Sequence, residues 1–371
     1  MTTVKVQRKA LIAALRVLGS VTPRKTNIPV LNTVKFTANG TLKMHATDLE
    51  YGATACIDRI GGRGDATLAL PPARLLPLLR AGTGEIVELT TGKENTVTVD
   101  GAQIVGMDPA DFPSVPDVTG GELLARIDAQ ELATAYRNTL YASSSEVVRY
   151  ALTGILLDLD PNPKARKACM VASDGKRLMR WNLLDVTVKK AARMILPVRS
   201  LKALVDLIGK CGNEVQVRAA KDAPERATLC MGDEGVFTRL IDGHFPDYEA
   251  VVPMGLPEPW SANRSELLAG LEKMAPALTD KTMAVRFTFT PGKLALFART
   301  ADVGEARAEL ECDGKGEAQV VLNPEYVADY LRALPKGIER VGVAVKDAKA
   351  ATLWKSTEHD KYVLMPLTIN L

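Results

Sequence analysis

The sequence predicts an α+β protein in which one module, two helices and a set of antiparallel strands, is written three times. Three observations predict it. A leucine recurs at a strand-to-helix junction, a second amphipathic helix lies upstream of each junction, and strand-like runs fill the interval between the two.

The junctions are TLALPPARLLPLLRAG, MILPVRSLKALVDLIGK and VVLNPEYVADYLRALPKG, with Leu70, Leu196 and Leu322 spaced by 126 residues. Counted from each leucine, positions +5, +8 and +9 are apolar: Leu75, Leu78 and Leu79; Leu201, Leu204 and Val205; Val327, Tyr330 and Leu331. That spacing lays one stripe along one face of a helix. Proline suits the first turn, where a backbone N–H has no intrahelical acceptor.

The upstream helix shows Leu11, Ile12, Leu15 and Leu18 in the first copy and Leu267, Leu268, Leu271 and Met274 at the same spacing in the third. The middle copy is weaker, with Leu132, Ala133 and Tyr136. Four residues ahead of each first leucine stand Gln7, Asp128 and Asn263, the last two good N-caps, and Asp128 with Glu131 has the spacing of a capping box. Pro77 and Pro276 fall inside predicted helices, where a proline costs roughly 3 kcal/mol or bends the axis.

Between the helices, NTVKFTANGTLKMHATDLEYGATACI, TGILLDLD with KACMVASDGKRLMRWNL, and MAVRFTFTPGKLALFARTADVGEARAEL read as strands, with hairpin turns at Asn39-Gly40 and Pro291-Gly292. EIVELTTGKENTVTV and EVQVRA continue the strands after the second helices. Asp48, Asp174 and Asp302 recur at matching places, as turn residues would. PDVTGGE and PMGLPEPW are rich in Pro and Gly and set boundaries for domains 1–119, 120–255 and 256–371.

Composition is that of an ordinary globular protein: 46% hydrophobic, 25% charged and a net charge of +3. No apolar stretch approaches the roughly 18 residues of a membrane span. The start MTTVKVQRKALIAALRVLG, interrupted by Arg16 and without a cleavage site, reads as an amphipathic helix of a cytoplasmic protein. Five cysteines and three histidines are scattered without metal-ligand spacing, so no metal and no cofactor is implied. Eight cations, from Lys5 to Lys43, precede the first acidic residue, Asp48, a local positive field of the kind that attracts phosphates. Phosphate-binding glycine loops, the G-x-S-x-G elbow and H-E-x-x-H are missing, and Ser143, Ser144 and Ser145 read as a loop. An α+β enzyme with an active site at a domain junction is the alternative, and no catalytic constellation supports it.

Taken in order, TNIPVL, ATDLE, VVRYALTGIL, ASDGKRL, RLIDGHFPDYEAVVP and YVLMPL resemble strings of the bacterial β sliding clamps, the β subunits of DNA polymerase III, over essentially the whole chain. The resemblance implies the DNA-clamp fold, a head-to-tail dimer closing a ring on double-stranded DNA, no catalysis, and a role in tethering the replicative DNA polymerase, the clamp loader and other proteins. Candidate cations for the ring's inner face are Arg8, Arg16, Arg24, Arg74, Arg80, Arg137, Arg199, Lys202, Lys210, Arg264, Lys273, Arg332 and Lys336, of which Arg24 and Arg74 match basic positions of the family that face DNA. Glu146 stands where some members have glutamine. The closing contact is expected between the strand around Ile104 and Pro276, Ala277 and Leu278 of the other chain.

The resemblance also implies an apolar pocket for partner peptides carrying Gln, Leu and Phe. The matching positions are Leu152, Ser173, Gly175, Lys176, Arg177, Leu178, Pro246, Val251, Val363, Met365, Pro366 and Leu367. Ala250 replaces an arginine common in the family and Thr368 a common basic residue, and the chain continues through Ile369, Asn370 and Leu371.

Overall fold

The structure, a computed structural model, describes residues 2–160, 168–209, 214–221, 223–280 and 282–369. Lys210, Asn370 and Leu371, named above, and Cys211, one of the five cysteines, lie outside the described residues.

Six α-helices occur among the described residues: α1 (Arg8–Val21), α2 (Pro72–Ala81), α3 (Ala129–Thr139), α4 (Val198–Ile208), α5 (Arg264–Met274) and α6 (Pro324–Ala333). They are the two per module that the repeat predicts, and each stripe faces inward: Leu11, Leu15 and Leu18 in α1, Leu75 and Leu79 in α2, and Val327, Tyr330 and Leu331 in α6 are buried. Asn263 caps α5 by accepting from Ser265 N and Glu266 N, and Asn323 caps α6 by accepting from Glu325 N. Asp128 Oδ1 accepts from Glu131 N at 2.8 Å, but the expected capping box is only half made. Glu131 accepts from Asp185 N instead, and Asp128 N donates to Asp185 O, because the neighbouring chain supplies the pair that the box would have closed. Pro77 does lie inside α2, whereas α5 stops at Met274 and Pro276 sits in a following 3-10 turn, where its missing N–H is harmless.

Each module begins with a strand, not with its helix. Thr3–Gln7, Glu122–Asp128 and Trp260–Asn263 run directly into α1, α3 and α5. Each pairs antiparallel with the first strand after the module's second helix: Thr3–Gln7 with Ile86–Thr91, Glu122–Asp128 with Glu214–Ala219, and Trp260–Asn263 with Arg340–Ala344. Of the three recurrent aspartates, Asp48 and Asp174 each accept two backbone N–H groups of the turn that follows, while Asp302 instead adopts a positive φ of 67° in a tight hairpin.

The described chain divides into two compact units. The first (Met1–Ala133, Asp185–Lys190 and Leu196–Ile241) holds a 5-stranded and a 9-stranded sheet. Its α1 packs on strand Tyr51–Asp58 and against α2 and α4. Within the 9-stranded sheet, Glu234–Arg239 pairs with Tyr51–Asp58, so the last strand of the middle repeat joins the third long strand of the first. Gly52 lies opposite Phe237 in this seam, and a Cβ there would come within 2.4 Å of the phenyl ring, so only glycine lets the two strands meet.

The second unit (Thr134–Leu184, Ala191–Ile195 and Asp242–Leu371) is built on a 12-stranded sheet. Here Arg177–Asn182 pairs with Asp360–Leu364, again the third long strand of one repeat with the last strand of the next. Trp181, Trp354, Tyr330, Tyr362, Phe287 and Phe289 are its largest fully buried side chains, and the Tyr330 and Tyr362 rings stack at 4.9 Å. Asp360 is fully buried yet bonded: Tyr330 Oη donates to Oδ2 at 2.6 Å and Thr357 N to Oδ1 at 2.7 Å.

Candidate functional site

In the second unit a cavity of about 280 Å³ opens beside the seam between Arg177–Asn182 and Asp360–Leu364. Leu152, Ser173, Gly175, Lys176, Arg177, Leu178, Pro246, Val251, Val363 and Met365 line it. These are ten of the twelve residues expected from sequence, drawn from four separate stretches of chain. Pro366 and Leu367 do not line it. Met365 N donates to Lys176 O and Leu367 N to Val321 O, so the tail turns away along a different strand after Met365.

Leu178 and Val363 are cross-strand partners, 4% and 1% exposed, and make the floor. Val251 and Met365, 43% and 44% exposed, stand as apolar walls open to solvent. An exposed apolar pair over a buried apolar floor offers surface that a ligand can remove from water.

One wall is a tight turn, Ser173 to Arg177. Asp174 Oδ1 accepts from Lys176 N and Arg177 N, Ser173 Oγ donates to Arg177 O, and Gly175 takes a positive φ of 86°. The two cations of the turn differ in kind. Arg177 donates from Nε to Asp174 at 3.0 Å and from Nη1 to Asp329 at 2.7 Å, and lies over the Tyr326 ring. Burial alone would lower its pKa; the bond to Asp329, with Tyr362 and Asp174, outweighs burial and raises it. Lys176 is exposed and has no ion pair among the described residues.

Sequence reasoning missed two lining residues, Phe245 and Tyr248. Phe245 precedes Pro246 and Tyr248 follows it by two in the quoted string RLIDGHFPDYEAVVP, and two aromatics so close to that proline are the available signal. Tyr248 Oη donates to Asp158 Oδ2 at 3.0 Å and stands 3.4 Å from Cys169 Sγ. Burial, with Cys169 and Asp158 beside it, pushes the phenol well above its ordinary range, so it stays a donor and fixes the ring against the cavity.

Arg24, Arg74, Arg80, Arg137, Arg199, Lys202 and Arg332 are all exposed. Lys202 pairs with Asp206 at 2.5 Å and Arg332 with Glu272 at 3.4 Å, while the Arg199 guanidinium lies 5.7 Å from the Tyr51 ring centre. Two other candidates prove structural. Arg8 is buried, paired with Asp100 and bonded to Gly84 O and Leu79 O. Arg264 donates to the carbonyls of Leu331, Leu334, Pro335 and Ile338 at the end of α6. Each opens the first helix of its module and holds the C-terminal end of the second, where orphan carbonyls need donors.

Ile104 is 6% exposed and packs inward, leaving Gln103 and Val105 as the outward residues of its strand. Pro276 is exposed, Leu278 partly so, and Ala277 buried. Among the described residues no group of His, Cys, Asp and Glu could hold a metal ion, and no helix is long and apolar enough to cross a membrane.

Residues 126–247 match the family described as the DNA polymerase III beta subunit, central domain. The chain is 27% identical over 379 residues to a beta sliding clamp of Chlamydia pneumoniae, with 98% of each covered. Its fold superposes on the DNA polymerase III beta subunit of Thermotoga maritima with a TM-score of 0.88 at 21% identity, covering 100% of both chains. A Pseudomonas aeruginosa sliding clamp solved bound to griselimycin gives 0.89 at 23% identity, covering 99% of this chain and 100% of that one.

Proposed function

We infer that this chain belongs to the bacterial β sliding clamp family and acts as a non-catalytic processivity subunit: a head-to-tail homodimer that encircles duplex DNA and tethers the replicative polymerase. The three modules are taken as 1–119, 120–255 and 256–371, and the setting is cytoplasmic.

One observation carries the reading. Twice in the chain, the third long strand of one module pairs with the last strand of the next. The same rule applied a third time would join Gly304–Asp313 of the last module to Ala102–Val105 of a first module. Among the described residues, Ala102–Val105 is the outer strand of its sheet, and Gly304–Asp313 is paired on its second side only at Cys312 and Asp313. A second copy supplies what each edge lacks, and a heterologous contact repeated with the right rotation closes a ring. Exposed cations on α2, α3, α4 and α6 then meet phosphates without reading bases, which permits sliding.

The cavity beside the Leu178–Val363 pair is the peptide site in this reading. Burying a leucine and a phenylalanine contributes roughly 1.5–3 kcal/mol each. Ordering the peptide offsets much of that, so affinity is expected at the micromolar level.

The test is retention on nicked circular DNA. The protein, loaded by its clamp loader, should stay on circles and run off after the circle is cut, with retention falling as salt rises. Equal retention on cut and intact DNA, or a marked preference for one base sequence, overturns the reading.

A further inference from the structure

In the first unit a second cavity, of about 690 Å³, lies between the start of α1, strand Tyr51–Asp58 and the end of α4. Its volume falls in the range of small-molecule sites, and nothing in the clamp reading uses it. One side is the small-residue face of α1, Ala10, Ala13 and Ala14, and Leu207 of α4 adds a buried apolar group. Ile60, half exposed, stands at the rim.

The polar groups decide what fits. Glu234 lines the cavity and is only 7% exposed. Its carboxylate takes one hydrogen bond among the described residues, on Oε1 from Cys56 N at 2.6 Å. Glu234 makes no ion pair among the described residues and holds one neutral donor, so an occupant that brings a positive charge within hydrogen-bond reach is favoured. The other lining charges, Lys9 and Asp58, are both exposed and of opposite sign, so solvent screens them and they nearly cancel. Lys43 is opposite Cys56 in strand register but is not among the lining residues. The Cys56 thiol, raised to about 11 by burial and then by the Glu234 charge, is protonated at neutral pH and adds no anion.

We propose that this cavity binds a small organic cation, a primary ammonium on an aromatic or aliphatic body, with the ammonium on Glu234 and the body against Ala10, Ala13 and Leu207. The buried carboxylate selects the charge, and the alanine face leaves the room that the body occupies. Such a ligand would bridge α1 and α4 with the strand between them and so stiffen the first unit.

Calorimetric titration of the full-length protein with tryptamine tests this, alongside tryptophol, its neutral analogue, and indole-3-propionate, an anion of like shape. Tryptamine should bind and raise the melting temperature, with both analogues weaker by about ten-fold or more. Glu234→Gln keeps an acceptor for Cys56 N and so should fold, yet should weaken tryptamine by a similar factor. Ala13→Phe fills the cavity and should abolish binding with the melting temperature of the free protein kept. Binding of tryptophol or indole-3-propionate as tight as tryptamine, an affinity unchanged in both variants, or no tryptamine binding up to about 10 mM overturns the proposal.

Discussion

The Arg177 guanidinium lies 4.2 Å from the centre of the Tyr326 ring while its Nη1 donates to Asp329, both residues of α6. A cation that the family resemblance places at a peptide pocket is therefore committed to holding one wall of the cavity. Lys176, its neighbour, is the cation left for a ligand.

The two should respond differently to removal. Arg177→Ala strands Asp174 and Asp329 and frees the Tyr326 face. It should weaken a Leu/Phe peptide by about ten-fold and lower stability by roughly 1–3 kcal/mol. Lys176→Ala should change affinity by no more than about three-fold, with a loss that disappears at high salt. Fluorescence polarisation with a labelled peptide, at low and high salt, separates the two. A salt-dependent loss in Arg177→Ala without loss of stability would show that Arg177 meets the ligand directly.

A parallel contrast holds among the candidate DNA cations. Arg264 donates to four carbonyls, so Arg264→Ala should destabilise by roughly 2–3 kcal/mol. The folded variant should match the parent in retention on circular DNA. Arg24→Glu with Arg74→Glu should leave urea unfolding unchanged, yet reduce retention on circular DNA and lower the salt slope by about two counterions. If the double variant is retained normally, those two arginines do not face phosphate.

These cases mark how much of the molecule the sequence makes legible. The six helices are legible because a 3.6-residue stripe over ten or more residues is a strong signal, and the 126-residue spacing multiplies it by three. The strand ahead of each first helix is not, since Trp260–Asn263 spans only four residues and its pairing partner lies beyond the second helix. The lining of the cavity beside Leu178 and Val363 is legible through the family strings, except where an aromatic near Pro246 reads equally well as core. Arg8 and Arg264 look like free helix cations because their partners, carbonyls at the end of another helix and, for Arg8, the distant Asp100, leave no local signature in the sequence.

His45 makes the stability of the first unit depend on pH. Desolvation, then Lys43 and Lys35, lowers its pKa from 6.5 to about 4, and its Nδ1 stands 2.9 Å from Thr54 Oγ1. The unfolded chain therefore takes up a proton before the folded one. Stability from this residue is complete above about pH 6.5 and falls between there and about pH 4, by at most about 3 kcal/mol. Urea unfolding of the parent and of His45→Gln, compared at pH 7.5 and 5, should show the parent losing more. Parallel losses would place the titration elsewhere.

The contact proposed to close the ring rests on an open strand edge. In the 304–313 strand, one side is paired with 292–300 from Gly304 to Cys312, and the other is open before Cys312 among the described residues. Open edges invite strand addition. Successive N–H groups along a strand point to opposite sides, so of the adjacent residues Ala306 and Arg307 one donates inward and the other outward. Proline removes the donor and is tolerated at an edge when that donor faces solvent. Of Ala306→Pro and Arg307→Pro, the inward variant should be destabilised, and the outward one should keep its melting temperature within a few degrees. That outward variant should scatter light as a monomer, while the parent scatters with about twice the mass of the 39.9 kDa chain. A well-folded variant of either kind that stays dimeric, together with no effect from Gln103→Pro in the partner strand, would show that the subunits close through side chains alone and that the strand rule stops at the chain's own seams.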